Sequence, residues 1–444
     1  MKLSDAADYL YDKAVEKGLK VFDIVGGISE STGLEIFESK VQNTEISYGS
    51  GIGIRIFREG RPGISFTEKL SSQSLIQTLE DAISNSEITD SMELELPEKQ
   101  TIHEFDLKIY DPGVNEVSFE NMIHLGLELE KIAKLKDIRV ENVPYLGVSK
   151  SESFSVFRNS KGVAFDRKSN SASAYVGVTA SQGEQKKMGF YSNSYKSFSE
   201  FNPEFMAGEA VTRATELLGA SSVQGGMYPV VFSNRVSPSI IGMFLSPYFA
   251  DVVQKGQSRL TGKVGEKISS ELFSILLDPH IEGMPGSRLY DGEGVPTEKL
   301  ELITNGKLNT FLYNLESAYK DKVNPTGHGS RSYAGKAGTG VSNLFVKKGE
   351  STITRLLRSY PECIYITRLE GGSGCSAISG DISIGVQGFL YQNGIRIRPL
   401  DKITLSGNYF DVLHKIEDLS NEYSDSYSSM KVPDILVSEM TISG

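Results

Sequence analysis

Two Asn-Gly pairs, Asn305-Gly306 and Asn393-Gly394, each stand between runs of alternating apolar and polar residues. A two-residue type I′ hairpin needs positive φ at both central positions, and Asn-Gly meets that need at low steric cost. The pairs therefore predict antiparallel hairpins, Glu301–Ile303 against Leu308–Phe311 and Gly388–Tyr391 against Ile395–Ile397. From residue 285 onward the pattern is strand-rich, with Ile435–Ser443 as a closing strand. Pro229–Phe232 reads as a further strand, and Ser237-Pro238 opens a helix through Leu245.

The N-terminal half mixes both periods. Helical spacing marks Leu3 to Lys20, a stretch around Leu75, Leu79 and Ile83, Asn115 to Lys136, and Asn202 to Leu218. Strand signals fall on Val21–Val25, Leu34–Glu38, Val41–Tyr48 and Ile52–Phe57, with Gly49-Ser50-Gly51 as a turn. Residues 137–196 alternate in strand fashion, with a hairpin connection at 159–162. The expected fold class is α+β: an N-terminal α/β sheet-and-helix region, then a large, mainly antiparallel β domain with few helices. The expected organisation is an N-terminal domain at 1–90, an acidic, proline-bearing linker at 91–113, a middle α+β region at 114–222 packing on the first, and a C-terminal domain at 223–444.

Charge narrows the function. There are 46 basic and 57 acidic side chains, a net charge of −11, which argues against binding a polyanion such as nucleic acid. Two cysteines, Cys363 and Cys375, make no disulfide framework and fit a reducing compartment. Acidic residues stand where a signal peptide needs an apolar run, and no apolar stretch nears the ~20 residues that span a bilayer. A cytoplasmic, membrane-free protein is expected.

Catalytic motifs are weak. The five histidines are all more than five residues apart, so no pair has the i, i+4 spacing that converges two imidazoles on a metal. His103-Glu104 lacks a second histidine; His124 and His414 read as solvated helix positions. His328, in Gly327-His328-Gly329, is a candidate cleft residue. Cys375, in a Gly-Ser-Gly-Cys-Ser run, is a candidate thiolate nucleophile only if a base lies near it. Asp291-Gly292-Glu293-Gly294 pairs two carboxylates but lacks the donors of a calcium loop.

Taken in order, several blocks resemble one family. They are Gly51-Ile52-Gly53-Ile54-Arg55-Ile56-Phe57; Leu289-Tyr290-Asp291-Gly292-Glu293-Gly294-Val295-Pro296; Leu315-Glu316-Ser317-Ala318-Tyr319; Pro325-Thr326-Gly327; Ser379-Gly380-Asp381; and Thr404-Leu405-Ser406-Gly407-Asn408. Their order and spacing resemble the TldD/PmbA family, whose name is linked to modulation of DNA gyrase. The resemblance implies a heterodimeric peptidase of unfolded proteins or peptides. One partner, TldD-like, carries zinc on a helix bearing two histidines and a glutamate, with a cysteine supplied later. It also implies that Asp291, Glu293, His328, Gly380 and Asp381 line a substrate cleft.

That zinc helix should fall between about 237 and 250, where this chain has Ile240, Ile241, Gly242, Met243, Phe244 and Leu245. No His, Glu or Cys occurs from 235 to 250, and Asn421 to Tyr427 stands where the later cysteine is expected. The chain thus resembles the PmbA/TldE side of the pair, with no catalytic or metal residue and no cofactor of its own. Zinc is expected only in a TldD-like partner, and homodimers are admitted when the chain is alone. The alternatives are a regulatory, gyrase-modulator-like binding protein, or a stand-alone hydrolase using Cys375.

Overall fold

The computed structural model describes residues 1–92, 94–101 and 106–444; His103 lies outside them. Its first layer is one antiparallel sheet of six strands: β1 (Val21–Phe37), β2 (Lys40–Arg58), β3 (Arg61–Thr67), β4 (Val140–Asn159), β5 (Ala164–Gln182) and β6 (Gln185–Tyr195). The spatial order is β3-β2-β1-β4-β5-β6. Helices α1 (Leu3–Glu16) and α2 (Ser72–Asn85) bracket the first three strands, and the helices Phe119–Lys136 and Pro203–Thr215 bracket the second three. Helix, three-strand meander, helix thus occurs twice. The two units meet where β1 pairs antiparallel with β4, from Asp23 opposite Asn159 to Glu35 opposite Gly147. An antiparallel seam between like strands relates the units by an approximate twofold.

Each unit has its own core, because each pair of amphipathic helices covers one end of the long strands. Leu3, Leu10, Leu75 and Leu79 pack with Ile24, Ile52 and Ile54 at one end. Met122, Leu129, Met206 and Val211 pack with Leu34, Ile36, Leu146 and Val176 at the other. Strand β1 feeds both.

Several local expectations are corrected. Val21–Val25 and Leu34–Glu38 fall, but for Glu38, in one 17-residue strand ending at Phe37, and Val41–Tyr48 and Ile52–Phe57 in one 19-residue strand. Gly49-Ser50-Gly51 is not a turn: it lies inside β2, paired with β1. The turn is at Glu38 and Ser39, both at positive φ. The helix expected from Asn115 is broken, Pro112–Glu116 and then Phe119–Lys136. Ser118 sits extended between them, and its side chain accepts from the Asn121 N–H as an N-cap. The segment read as a linker also packs against the protein: Leu96 and Leu107 are buried, and the Pro97 carbonyl accepts from Asn159 Nδ2 at 2.8 Å.

The C-terminal half is built on a second six-stranded sheet. Its order is Ile395–Asn408, Asp381–Gln392, Glu362–Glu370, β7 (Gly226–Phe232), Pro433–Ser443 and Ile416–Tyr423. All pairs are antiparallel except β7 with Glu362–Glu370. An extra pairing of Thr404–Ser406 with Thr441–Ser443 draws the sheet towards closure. Both Asn-Gly pairs turn as the sequence predicts, with φ of 49° and 80° at 305 and 306, and 48° and 77° at 393 and 394. The α+β class with a large β C-terminal region holds. No helix among the described residues is long and apolar enough to cross a membrane.

Candidate functional site

Between the two layers lies a buried charge network. Asp23 on β1 and Arg55 on β2 stand opposite each other in register. Arg55 Nε and Nη2 donate to Asp23 Oδ2 at 3.1 and 2.5 Å. Arg55 Nη1 reaches across to Glu293 Oε1 at 2.9 Å. Arg331 Nη1 contacts Asp23 Oδ1, so two guanidinium groups meet Asp23 and one of them, Arg55, also meets Glu293.

The Asp-Gly-Glu-Gly loop is shaped by its own acids. Asp291 Oδ1 accepts from the N–H groups of Glu293 and Val295, and Oδ2 from Gly329. Glu293 Oε2 accepts from the Leu315 N–H at 2.8 Å, tying the loop to the helix Leu315–Asp321. Burial, and then the Glu293 charge, pushes the Asp291 carboxyl up to about 7. His328 Nδ1 lies 3.0 Å from Thr326 Oγ1, and Nε2 has no protein partner. Burial and the nearby Arg288 charge push His328 down to about 4, so the imidazole is neutral.

Asp291, Glu293 and His328 are 2%, 0% and 1% exposed. All three face protein, and Glu293 ties the C-terminal half to the first sheet through Arg55. Sequence reasoning missed Asp23, Arg55 and Arg331 as site residues. The signal was present: Asp23 interrupts Val21–Val25 and Arg55 stands between Ile54 and Ile56, and a charge inside an apolar strand run needs a buried partner. Gly380 and Asp381 lie elsewhere. Gly380 has φ of +82°, and a Cβ there would come within 2.6 Å of Phe410. Asp381 Oδ2 accepts from Ser379 Oγ at 2.6 Å, which shapes the turn that starts the strand.

The segment that the family resemblance aligns with a zinc-bearing helix forms the short helix Ser237–Met243. Pro238 opens it, and Ile240, Ile241, Phe244 and Leu245 are buried in the main C-terminal core. Phe244 stacks on Tyr409, with centroids 4.5 Å apart and planes at 9°. Tyr409 and Tyr248, both fully buried, place their hydroxyls 3.3 Å apart. The sulfurs at the helix are thioethers: a Cβ on Gly242 would touch Met430, and one on Gly372 would touch Met243. Zinc is held by imidazole, thiolate and carboxylate, so these residues do not fit it. Among the described residues no group of three or more His, Cys, Asp or Glu is placed to hold a metal. Cys375 is half-buried, with its Sγ 4.0 Å from the Ser383 carbonyl, a contact that supplies no base.

Beside this helix, Val236 and Ser239 border a cavity of about 430 Å³. Its walls are β6 at Met188–Phe190 and the strand Glu362–Glu370 at Thr367–Leu369. β7 pairs with that strand from Val230 opposite Ile364 as far as Phe232 opposite Ile366. Beyond it, among the described residues, the edge of Arg368–Glu370 facing away from Asp381–Gln392 has no strand partner.

Residues 225–444 match the PmbA/TldA metallopeptidase C-terminal domain, residues 112–218 the central domain and residues 22–86 domain 1. The chain is 28% identical over 408 residues to the metalloprotease PmbA homolog of Buchnera aphidicola, covering 91% of this chain and 89% of that one. It superposes, with a TM-score of 0.90, 25% identity and full coverage of both chains, on a Thermotoga maritima protein described as a modulator of a DNA gyrase. It also superposes on TldE from Thermococcus kodakarensis, with a TM-score of 0.88 at 19% identity, covering 99% and 100% of the two chains. Matched domain by domain in sequence and over its whole length in fold, this chain belongs to the TldD/PmbA family.

Proposed function

We propose that this chain is the PmbA/TldE-type, non-catalytic subunit of a heterodimeric TldD/TldE-type zinc metalloprotease acting on unfolded proteins or peptides. One observation carries the reading: Ser237–Met243 offers Ile240, Ile241 and Met243 where a hydrolytic zinc needs nitrogen, thiolate or carboxylate donors. In such a pair the TldD-like partner holds the zinc, which lowers the pKa of its bound water. This chain supplies walls and alignment. The unpaired edge of Arg368–Glu370 supports that role, because an extended peptide adds to an open strand through main-chain hydrogen bonds with little regard to sequence.

Two measurements test the reading. Elemental analysis of the purified chain is expected to give zinc well below one per chain. An unstructured peptide is expected to be cut only when a TldD-like partner is added. Stoichiometric zinc together with cleavage by the chain alone would overturn it. The description of the Thermotoga structure supports a second reading, regulation of a protein target. A pull-down that recovers gyrase and no TldD-like partner would favour it.

A further inference from the structure

The 430 Å³ cavity beside Ser237–Met243 is lined by four arginines, Arg213, Arg235, Arg368 and Arg396. In a chain of net charge −11, that concentration of one sign is a local reversal. Asp434, which accepts from the hydroxyl of the lining Tyr365 at 3.3 Å, and Asp425, which borders Arg213 and Arg235 on their other side, lie behind this wall, and two carboxylates pair with the arginines directly. Glu209 lies 3.0 Å from Arg213 and 3.6 Å from Arg235, and Glu216 pairs with Arg396. Counting the four arginines and the two glutamates in ion-pair contact with them, two positive charges are left without a direct carboxylate partner.

Backbone geometry fixes two of the guanidinium groups. Arg368 Nη1 donates to the Met188 carbonyl at 2.9 Å, and Arg213 Nη1 to the Phe190 carbonyl at 2.8 Å. Both acceptors lie on the sheet's outermost strand, β6, so the arginines cap its edge and are held over the cavity. The Arg213 guanidinium also lies over the Tyr191 ring, 4.9 Å from its centroid, which fixes its plane. Tyr365, Tyr391 and Phe389 give the cavity an aromatic wall, lowering the local dielectric and strengthening any charge–charge contact made there.

We propose that this cavity is a carboxylate subsite for a peptide, taking either its C-terminal carboxylate or an acidic side chain. The guanidinium fork matches a carboxylate bidentately. The adjoining open edge of Arg368–Glu370 supplies main-chain hydrogen bonds for the residues leading into it. The proposal rests on the peptide-handling role above and adds a chemical preference to it: acidic or C-terminal segments bind more tightly than internal neutral ones.

The test is calorimetric titration of the full chain with three alanine-rich peptides: one with a free C-terminus, one amidated, and one amidated with a single internal glutamate. Inorganic phosphate forms a fourth arm. The free-acid and glutamate peptides are expected to bind at least about tenfold more tightly than the neutral amide, with affinity falling as salt rises. Arg235→Gln is expected to weaken both by about tenfold or more, as loss of one charge-assisted contact implies, while leaving the unfolding midpoint unchanged because Arg235 is exposed. Arg396→Gln gives a second, independent reading. Equal binding of the neutral amide, no binding of any peptide, binding of phosphate alone, or indifference to both variants would each overturn the proposal. None of these bears on zinc content or on partner-dependent cleavage of a neutral peptide, so the subsite and the subunit role fail separately.

Discussion

Arg55 Nη1 donates to Glu293 Oε1 at 2.9 Å, joining a strand of the first sheet to a loop 238 residues away. Both side chains are almost fully buried, as is Asp23 on the other side of the guanidinium. Breaking a buried ion pair by removing one member leaves an uncompensated charge, at a cost of about 3–5 kcal/mol. Arg55→Met is therefore expected to lower stability by that order in denaturant unfolding. An unchanged midpoint would mean that the network does not join the layers.

Two buried groups beside this network, His328 and Asp291, make stability depend on pH in opposing ways. His328 is pushed down to about 4 from 6.5, so the unfolded chain binds a proton there before the folded one does. Stability is lost as pH falls from about 6.5 to 4, by up to about 3 kcal/mol. Asp291 is pushed up to about 7 from 3.8, so the folded chain holds its proton longer. That contribution is full below about 3.8 and is lost as pH rises to 7. His328→Gln is expected to remove the acid-side loss, and Asp291→Asn to flatten the decline between pH 4 and 7. Unfolding midpoints across that range, taken for each variant against wild type, separate the two signs.

Two glycines of β2 meet the same residue differently. A Cβ on Gly51 would overlap the Tyr333 ring, whereas one on Gly53 would overlap the Tyr333 carbonyl oxygen. Each alanine substitution is expected to cost about 1–3 kcal/mol by overpacking. Tyr333→Ala should rescue Gly51→Ala and leave Gly53→Ala impaired, because only the first clash is with a removable side chain. A double-mutant cycle reads this directly.

What was legible in the sequence follows from how local each determinant is. Asn305-Gly306 and Asn393-Gly394 fix their turns within two residues, and Pro203 and Pro238 fix helix starts. Gly49-Ser50-Gly51 misled because Gly51 answers a distant requirement, room for Tyr333, and such a requirement leaves no local trace. The break at Ser118 was missed because the apolar pattern runs on through it while the side chain caps the backbone. At the site, the absence of zinc donors in 237–245 could be read directly. The distant partners of Asp291 and Glu293 could not, since Gly329 reaches Asp291 only through the folding of the C-terminal half and Arg55 reaches Glu293 only through the packing of one layer on the other.

If Ser237–Met243 is held by packing and not by metal, chelation and truncation should part company. A structural zinc contributes folding free energy, so chelators destabilise proteins that depend on one. Here the fixing contacts are apolar: Ile240 and Ile241 in the core, and Phe244 stacked on the buried Tyr409. Removing a buried Phe side chain costs about 3–5 kcal/mol through lost transfer energy and the cavity left behind. Phe244→Ala is therefore expected to lower stability by that order, while excess EDTA leaves the wild-type unfolding midpoint where it was. The two treatments converge only if a metal outside the apolar helix supports the fold. A fall in the midpoint with EDTA, reversed by added zinc, would reveal one and would remove the physical basis for assigning the ion to the partner.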